Sequence, residues 1–258
     1  MDKPVFMKTL IISIQKGGLG DHLFHSHLPR IAKQYGGYNQ VFISNDSIFR
    51  NPDTKKLVWE LNPYLDGFTN DPGFFYFSEN IPDGENLLDH LMLAYGLDDQ
   101  KRNHEPEIYY KPKLVEALID KTIYDPNYIS YTGDIKYPAT IQNWFDQNKI
   151  IPNAQMKVLG KRAIEIDCNN RVSTPDLFAF CDLLYSAKAI YCLSTGTGTL
   201  AAALQKPVTV LYGNGLQKAY RHSGLHRYIN VGTDFTLMDR AKKWLTKQLS
   251  RIMPLGKK

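Results

Sequence analysis

Three short segments of the 258-residue chain carry residue types whose spacing suits chemistry. The first is Gly17-Gly18-Leu19-Gly20-Asp21. Glycines at the start of a helix let the backbone approach a ligand closely and leave amides free to meet anions or carbonyls. An acid at the end of such a run either caps its own helix or serves as a proton acceptor. These residues alone leave both readings open. The second is Ser194-Thr195-Gly196-Thr197-Gly198-Thr199, where hydroxyls and backbone N–H groups at a helix start form an anion-binding concavity. The third is Asp134-Ile135-Lys136-Tyr137-Pro138, in which Lys136 can reach a diphosphate as a point charge. The first segment is neither a GxGxxG fingerprint nor a Walker loop, since no Gly-Lys-Ser/Thr follows it. His22, His25 and His27 come next. His22 and His25 share a helical face, but no third ligand is suitably spaced, so no metal site is expected.

The elements that must hold these segments alternate between strand and helix. Thr9 to Ile14 is a short β-branched run, as expected for a strand buried on both faces. A helix is predicted from about Asp21 to Tyr35, kinked at Pro29 and ended by Gly36-Gly37. Gln40 to Ser44 is a second strand, which completes a βαβ unit. Residues 50–126 are poorly patterned, with helices expected at Leu87–Tyr95 and Lys113–Lys121. Strands are then expected at Tyr128–Thr132, Met156–Leu159 and Ala163–Ile166, and a helix through Trp144-Phe145. Thr174 is expected to cap a helix that carries Leu177, Phe180, Cys181 and Leu184 on one face. Strands Ala189–Leu193 and Val208–Tyr212 bracket a short helix at Leu200–Leu204, and a last helix is predicted over 237–253. The alternation indicates an α/β architecture with parallel sheets in two blocks.

Composition sets the remaining bounds. The chain is 43% hydrophobic and 22% charged, with no biased tract. Its net charge of +5 suits anionic ligands such as nucleotides, and also permits nucleic acid or an anionic membrane surface. Cys168, Cys181 and Cys192 lack disulfide or zinc spacing and read as small core residues. No signal-peptide pattern or membrane-length apolar run is visible. The expected location is cytoplasmic, with peripheral contact to the inner membrane face left open.

Taken together, the segments resemble the lipopolysaccharide heptosyltransferase family. Residues 8–35 are similar to that family's first strand, Gly-Asp turn and proline-containing helix. Residues 172–213, with Thr-Pro-Asp-Leu, Ser-Ala-Lys-Ala-Ile and Ser-Thr-Gly-Thr-Gly-Thr-Leu-Ala-Ala-Ala-Leu-Gln-Lys-Pro-Val, are the more specific match. The resemblance implies two Rossmann-like domains facing a central cleft, the GT-B arrangement. The expected division is an acceptor-side domain over 1–126 and a nucleotide-sugar domain over 127–258. It further implies an inverting, metal-independent transfer from a nucleotide-diphosphate sugar, with no other cofactor. Asp21 takes the position of the general base and Lys136 that of the donor-phosphate lysine. Gly18, Gly20, Thr132, Ser194, Thr195, Gly196, Thr197 and Gly198 complete the expected donor site. The chain departs from the family at Ser194, where Asp is usual, and in being shorter, so the donor sugar and acceptor stay unassigned. A glycan, a lipid-linked glycan or nucleic acid would serve as acceptor. The opening Gly-Gly-Leu-Gly also resembles α-1,2-fucosyltransferases, but their later Ser-Asn-Ser-aromatic-Trp-Trp signature is absent. Two other readings are an enzyme that glycosylates DNA bases, using Arg221, His222, Arg227 and the basic C-terminal stretch, and a non-catalytic nucleotide- or sugar-binding module.

Overall fold

The computed structural model describes residues 8–76, 81–82, 85–128, 132–135, 139–160 and 162–232. Lys136 and the predicted helix over 237–253 lie outside these residues, as does most of the expected strand Tyr128–Thr132.

Two parallel sheets organise the described chain. The first contains β1 (Thr9–Ile12), β2 (Gln40–Ser44) and β3 (Gly67–Thr69), in the order β1-β2-β3. The free edge of β1 is met by a parallel bridge from Ile12 to Phe74. The second sheet contains β4 (Thr122–Asp125), β5 (Ala154–Met156), β6 (Arg171–Val172), β7 (Ala189–Leu193), β8 (Thr209–Tyr212) and β9 (Arg227–Asn230). Its spatial order is β6-β5-β4-β7-β8-β9, all parallel. Counted from β4 this is the doubly wound order 3-2-1-4-5-6, which reverses direction between β4 and β7. A crevice for ligand opens at such a reversal, beyond the carboxyl ends of the two strands. Thr122–Asp125 therefore belongs to the second sheet, although it lies before the expected boundary at 126.

Several elements depart from the sequence expectation for local reasons. The first helix is broken in two: α1 spans Leu19–His25 and α2 spans Leu28–Gln34. Pro29 lies in the first turn of α2, where its missing N–H costs nothing, so the chain restarts a helix there instead of kinking one. Thr174 does not cap α5 (Leu177–Ser186): Asp176 does, accepting the Ala179 N–H at 2.7 Å. The short helix α6 begins earlier than expected, spanning Gly196–Ala203, so the Thr-Gly-Thr-Gly run is its first turn. Helix α3 (Leu87–Ala94) forms as expected, and α4 spans Ala139–Gln147.

The expected helix at Lys113–Lys121 reduces to a 3-10 turn at Glu116–Leu118, and Ala163 makes only a single bridge to Asn127. The poorly patterned stretch acts as a strap between the halves. Arg30 Nη2 pairs with Glu107 Oε1 at 2.7 Å on the first half. Further along, Tyr110 Oη and the Lys113 N–H both donate to Asp182 of α5, and the Val115 N–H donates to Ser186 Oγ. The largest apolar cluster is continuous across the halves, joining Ile12, Ile43 and Trp59 to Ile190, Cys192 and Val210.

Candidate active site

The β1–α1 turn is built tightly. A Cβ on Gly17 would collide with the Ile48 carbonyl, and the Gly17 carbonyl accepts the Arg50 N–H at 3.1 Å. Asp21 is the third residue of α1, and its Oδ2 accepts the Gly18 N–H at 3.0 Å. This is half of a capping box, because Gly18 has no side chain to reciprocate. Burial raises the Asp21 pKa, against the Gly18 N–H and the charges of Arg50 and Lys16, which lower it. The carboxyl is thus both a cap and a stronger base than an exposed aspartate.

The three histidines that follow are structural. His22 Nδ1 accepts from Trp59 Nε1 at 2.9 Å, so its Nε2–H donates to the Ile48 carbonyl, also at 2.9 Å. Burial pushes its pKa down to about 4. His25 bridges the Asp21 and Tyr76 carbonyls, while His27 meets the Leu88 carbonyl and is pushed down to about 3. Among the described residues no group of three or more His, Cys, Asp or Glu is placed to hold a metal ion.

The β7–α6 turn lies at the reversal of the second sheet. Thr195 caps α6: its Oγ1 donates to the Leu193 carbonyl at 3.3 Å and accepts the Thr197 N–H at 3.4 Å. Thr197 Oγ1 donates to Asp125 Oδ2 at 2.5 Å. Both hydroxyl protons are therefore used within the protein, and an anion at this helix start would be met by backbone N–H groups and the helix dipole. Asp125 ends β4, the strand across the reversal. Burial raises its pKa, opposed by the Thr197 hydroxyl and by the N–H groups of Asn127. Thr199 Oγ1 lies 3.3 Å from His222 Nε2, and His226 Nε2 donates to the Gly198 carbonyl at 2.8 Å. Burial holds the His222 pKa down to about 3.

The two turns meet. A Cβ on Gly196 would stand 3.2 Å from the Gly20 nitrogen, and one on Gly20 would stand 3.6 Å from the Gly196 Cα. Glycine at both positions lets the first turns of α1 and α6 touch backbone to backbone, which brings Asp21 and the Ser194–Thr199 run to one place. Thr132 is buried in the second half, where its carbonyl accepts the Gly213 N–H at 2.9 Å. The Asp134 N–H donates to the Asn214 carbonyl at 2.8 Å, so the loop that leads to Lys136 is pinned to the end of β8. Gly133 needs its φ of +86° here, and a Cβ would strike Gly213. Further contacts clamp the halves near the same turns: Asn86 Nδ2 to the His222 carbonyl at 2.6 Å, and Ser223 Oγ and the Gly224 N–H to Glu105 Oε1, both at 2.9 Å.

Solved structures share this fold. TibC, an iron-containing dodecameric glycosyltransferase from enterotoxigenic E. coli H10407, superposes with a TM-score of 0.61 at 14% identity, over 88% of this chain and 64% of that one. The fold is heptosyltransferase-like. TibC in complex with ADP-D-β-D-heptose matches at a TM-score of 0.58 and 12% identity, covering 90% of this chain and 66% of TibC. The E. coli ADP-heptose lipopolysaccharide heptosyltransferase II matches at 0.51 and 12%, covering 96% and 100%. This chain thus spans about two thirds of TibC, at 64% and 66% of its length in the two structures. No protein-family model matches the sequence, and no curated protein matches it. No helix among the described residues is long and apolar enough to cross a membrane.

Asp125, His226 and Glu105 were not among the candidate site residues read from the sequence, and His222 was read there only as a contact for nucleic acid. Asp125 sits before Pro126 and reads there as a domain boundary. The others lie in unpatterned segments, and no local signal marks them.

Proposed function

We propose that the chain is a glycosyltransferase that moves a sugar from a nucleotide-diphosphate sugar to an acceptor hydroxyl, inverting the anomeric centre without a metal. The observation that carries this reading is the contact of Gly20 with Gly196, which sets the Asp21 turn against the α6 start at the sheet reversal. The donor diphosphate would lie at the α6 start, against Lys136 and the backbone of Ser194, Thr195, Gly196, Thr197 and Gly198. Thr132, Gly18 and Gly20 would border it. The acceptor, a glycan or lipid-linked glycan, would approach from the 1–126 side. Asp21 would take the proton from its hydroxyl as that oxygen attacks the anomeric carbon. The electron pair of the breaking C–O bond leaves with the diphosphate, whose growing charge the helix start and Lys136 would stabilise. The raised pKa of Asp21 supports the base role, since a base nearer neutrality accepts a proton more readily. TibC has been solved with an ADP-sugar, which makes ADP-sugars the first donors to try.

The test is a thermal-shift screen of nucleoside diphosphates and their sugars, followed by transfer assays with the stabilising donor. Asp21→Ala should abolish transfer while nucleotide binding persists. Near-normal transfer by that variant would remove Asp21 from the base role. Nucleotide binding without transfer or donor hydrolysis by the unaltered chain would favour a binding module. Product stereochemistry read by NMR tests inversion, and transfer that survives a chelator tests metal independence.

A further inference from the structure

The reading above rests its donor cation on Lys136 alone. Arg221 offers a second. The 3-10 turn Lys218–Tyr220 ends at Arg221, whose N–H donates to the Lys218 carbonyl at 2.8 Å. Its Nη1 donates to Tyr212 Oη at 3.2 Å, and the guanidinium carbon lies 5.4 Å from the centre of the same ring. Tyr212 is the last residue of β8, so the guanidinium is held at the carboxyl edge of the second sheet, the edge on which the reversal opens. Gly213 and Asn214, which follow Tyr212, are the residues that pin the 132–135 loop leading to Lys136.

The Arg221 guanidinium is poorly satisfied. Its Nε–H is buried and has no hydrogen-bond partner. Among the described residues no carboxylate pairs with it. Glu105, the acid bonded to the neighbouring residues, directs Oε1 to Ser223 and Gly224 instead. Arginine stays charged, and a buried N–H of a cation without an acceptor is costly. A planar cation with free N–H groups at a ligand-binding sheet edge matches a phosphate oxygen pair in shape and charge. A second buried atom in the same stretch, His222 Nδ1, also lacks a partner, while the other nitrogen of that ring meets α6 at Thr199.

We infer that Arg221 is a diphosphate-binding residue of the donor site, steadied by Tyr212. The inference rests on the donor reading above. Arg227 is the internal control: it starts β9, at the opposite, amino edge of the same sheet, and is exposed.

The experiment compares the full chain with Arg221→Gln, Arg221→Lys and Arg227→Gln in calorimetric binding of ADP, GDP, UDP, CDP, inorganic pyrophosphate and the matching unphosphorylated nucleosides. For the nucleotide that binds, Arg221→Gln should weaken the diphosphate and pyrophosphate at least tenfold and leave the nucleoside unchanged. Arg221→Lys should fall between, keeping charge but losing the fork, and Arg227→Gln should match the unaltered chain. A folded Arg221→Gln protein that binds diphosphate normally would overturn the inference and leave the donor reading standing. So would equal losses of nucleoside and diphosphate with a lowered melting temperature, which would mark a structural role. If the unaltered chain binds no diphosphate at all, both the inference and the donor reading fall.

Discussion

The first turns of α1 and α6 share a plan yet differ in one residue type. Each follows a buried parallel strand, contains glycine and abuts the other. At α1 the positive end of the helix is met by its own acid, Asp21, which accepts the Gly18 N–H. At α6 the first turn has no acid, and the cap is the neutral Thr195 hydroxyl. The carboxylate of Asp125, from β4, reaches the turn through the Thr197 hydroxyl. A helix start that supplies its own negative charge has little attraction left for an anion, while one capped by a hydroxyl retains it. On the proposed function, the same backbone device would provide a proton acceptor in one half and an anion-receiving end in the other.

The largest effect that should break both starts is acid. His22, beside the first turn, is held down to about 4, and His27 and His222 to about 3, chiefly by burial. A histidine with a depressed folded pKa binds its proton more readily when unfolded, so stability falls as the pH drops below about 6.5. At pH 5 each of these residues should cost about 2 kcal/mol relative to neutral pH, which together is a large share of an ordinary folding free energy. Chemical denaturation followed by circular dichroism at pH 7 and pH 5 checks this, and equal midpoints would count against it.

Asp21→Asn comes next. The amide keeps the shape and a cap of sorts but cannot accept the acceptor's proton. Transfer should fall by about 10²–10⁴-fold, measured as kcat with saturating donor. Its rate profile should also rise as the pH passes upward through a pKa above that of an ordinary aspartate, and the limb should vanish in the variant. Asp125→Ala addresses the other start. It strands the Thr197 hydroxyl and two N–H groups of Asn127, and should lower stability by about 2–3 kcal/mol in urea unfolding.

The smallest effects separate the two glycines at the contact. Alanine at Gly196 would press on the Gly20 nitrogen from 3.2 Å and should cost about 1 kcal/mol. Alanine at Gly20 meets its neighbour at an ordinary 3.6 Å and gains helix propensity, so it should be neutral or stabilising by up to about 1 kcal/mol. Melting temperatures of the two variants decide whether the contact is as asymmetric as it looks.

Much of this plan is legible in residues that act locally. The strands Gln40–Ser44 and Ala189–Leu193 have the bounds their apolar runs suggest. The two glycine turns and the α/β class follow from strand and helix periodicity and from glycine's lack of a Cβ, which depend on neighbours a few positions away. What the sequence could not contain is which distant groups share a proton or a charge. Asp125 becomes a partner of Thr197 only because β4 and β7 are adjacent at the reversal. The strap from Glu107 to Val115 finds its partners, Arg30, Asp182 and Ser186, only in the fold. Arg221 is one basic residue among many until β8 and the 3-10 turn set its guanidinium over Tyr212 with its Nε–H buried. Periodicity and turn chemistry are short-range properties of the chain, whereas burial, pairing and pKa depend on what the fold brings alongside, and only the tertiary structure decides that.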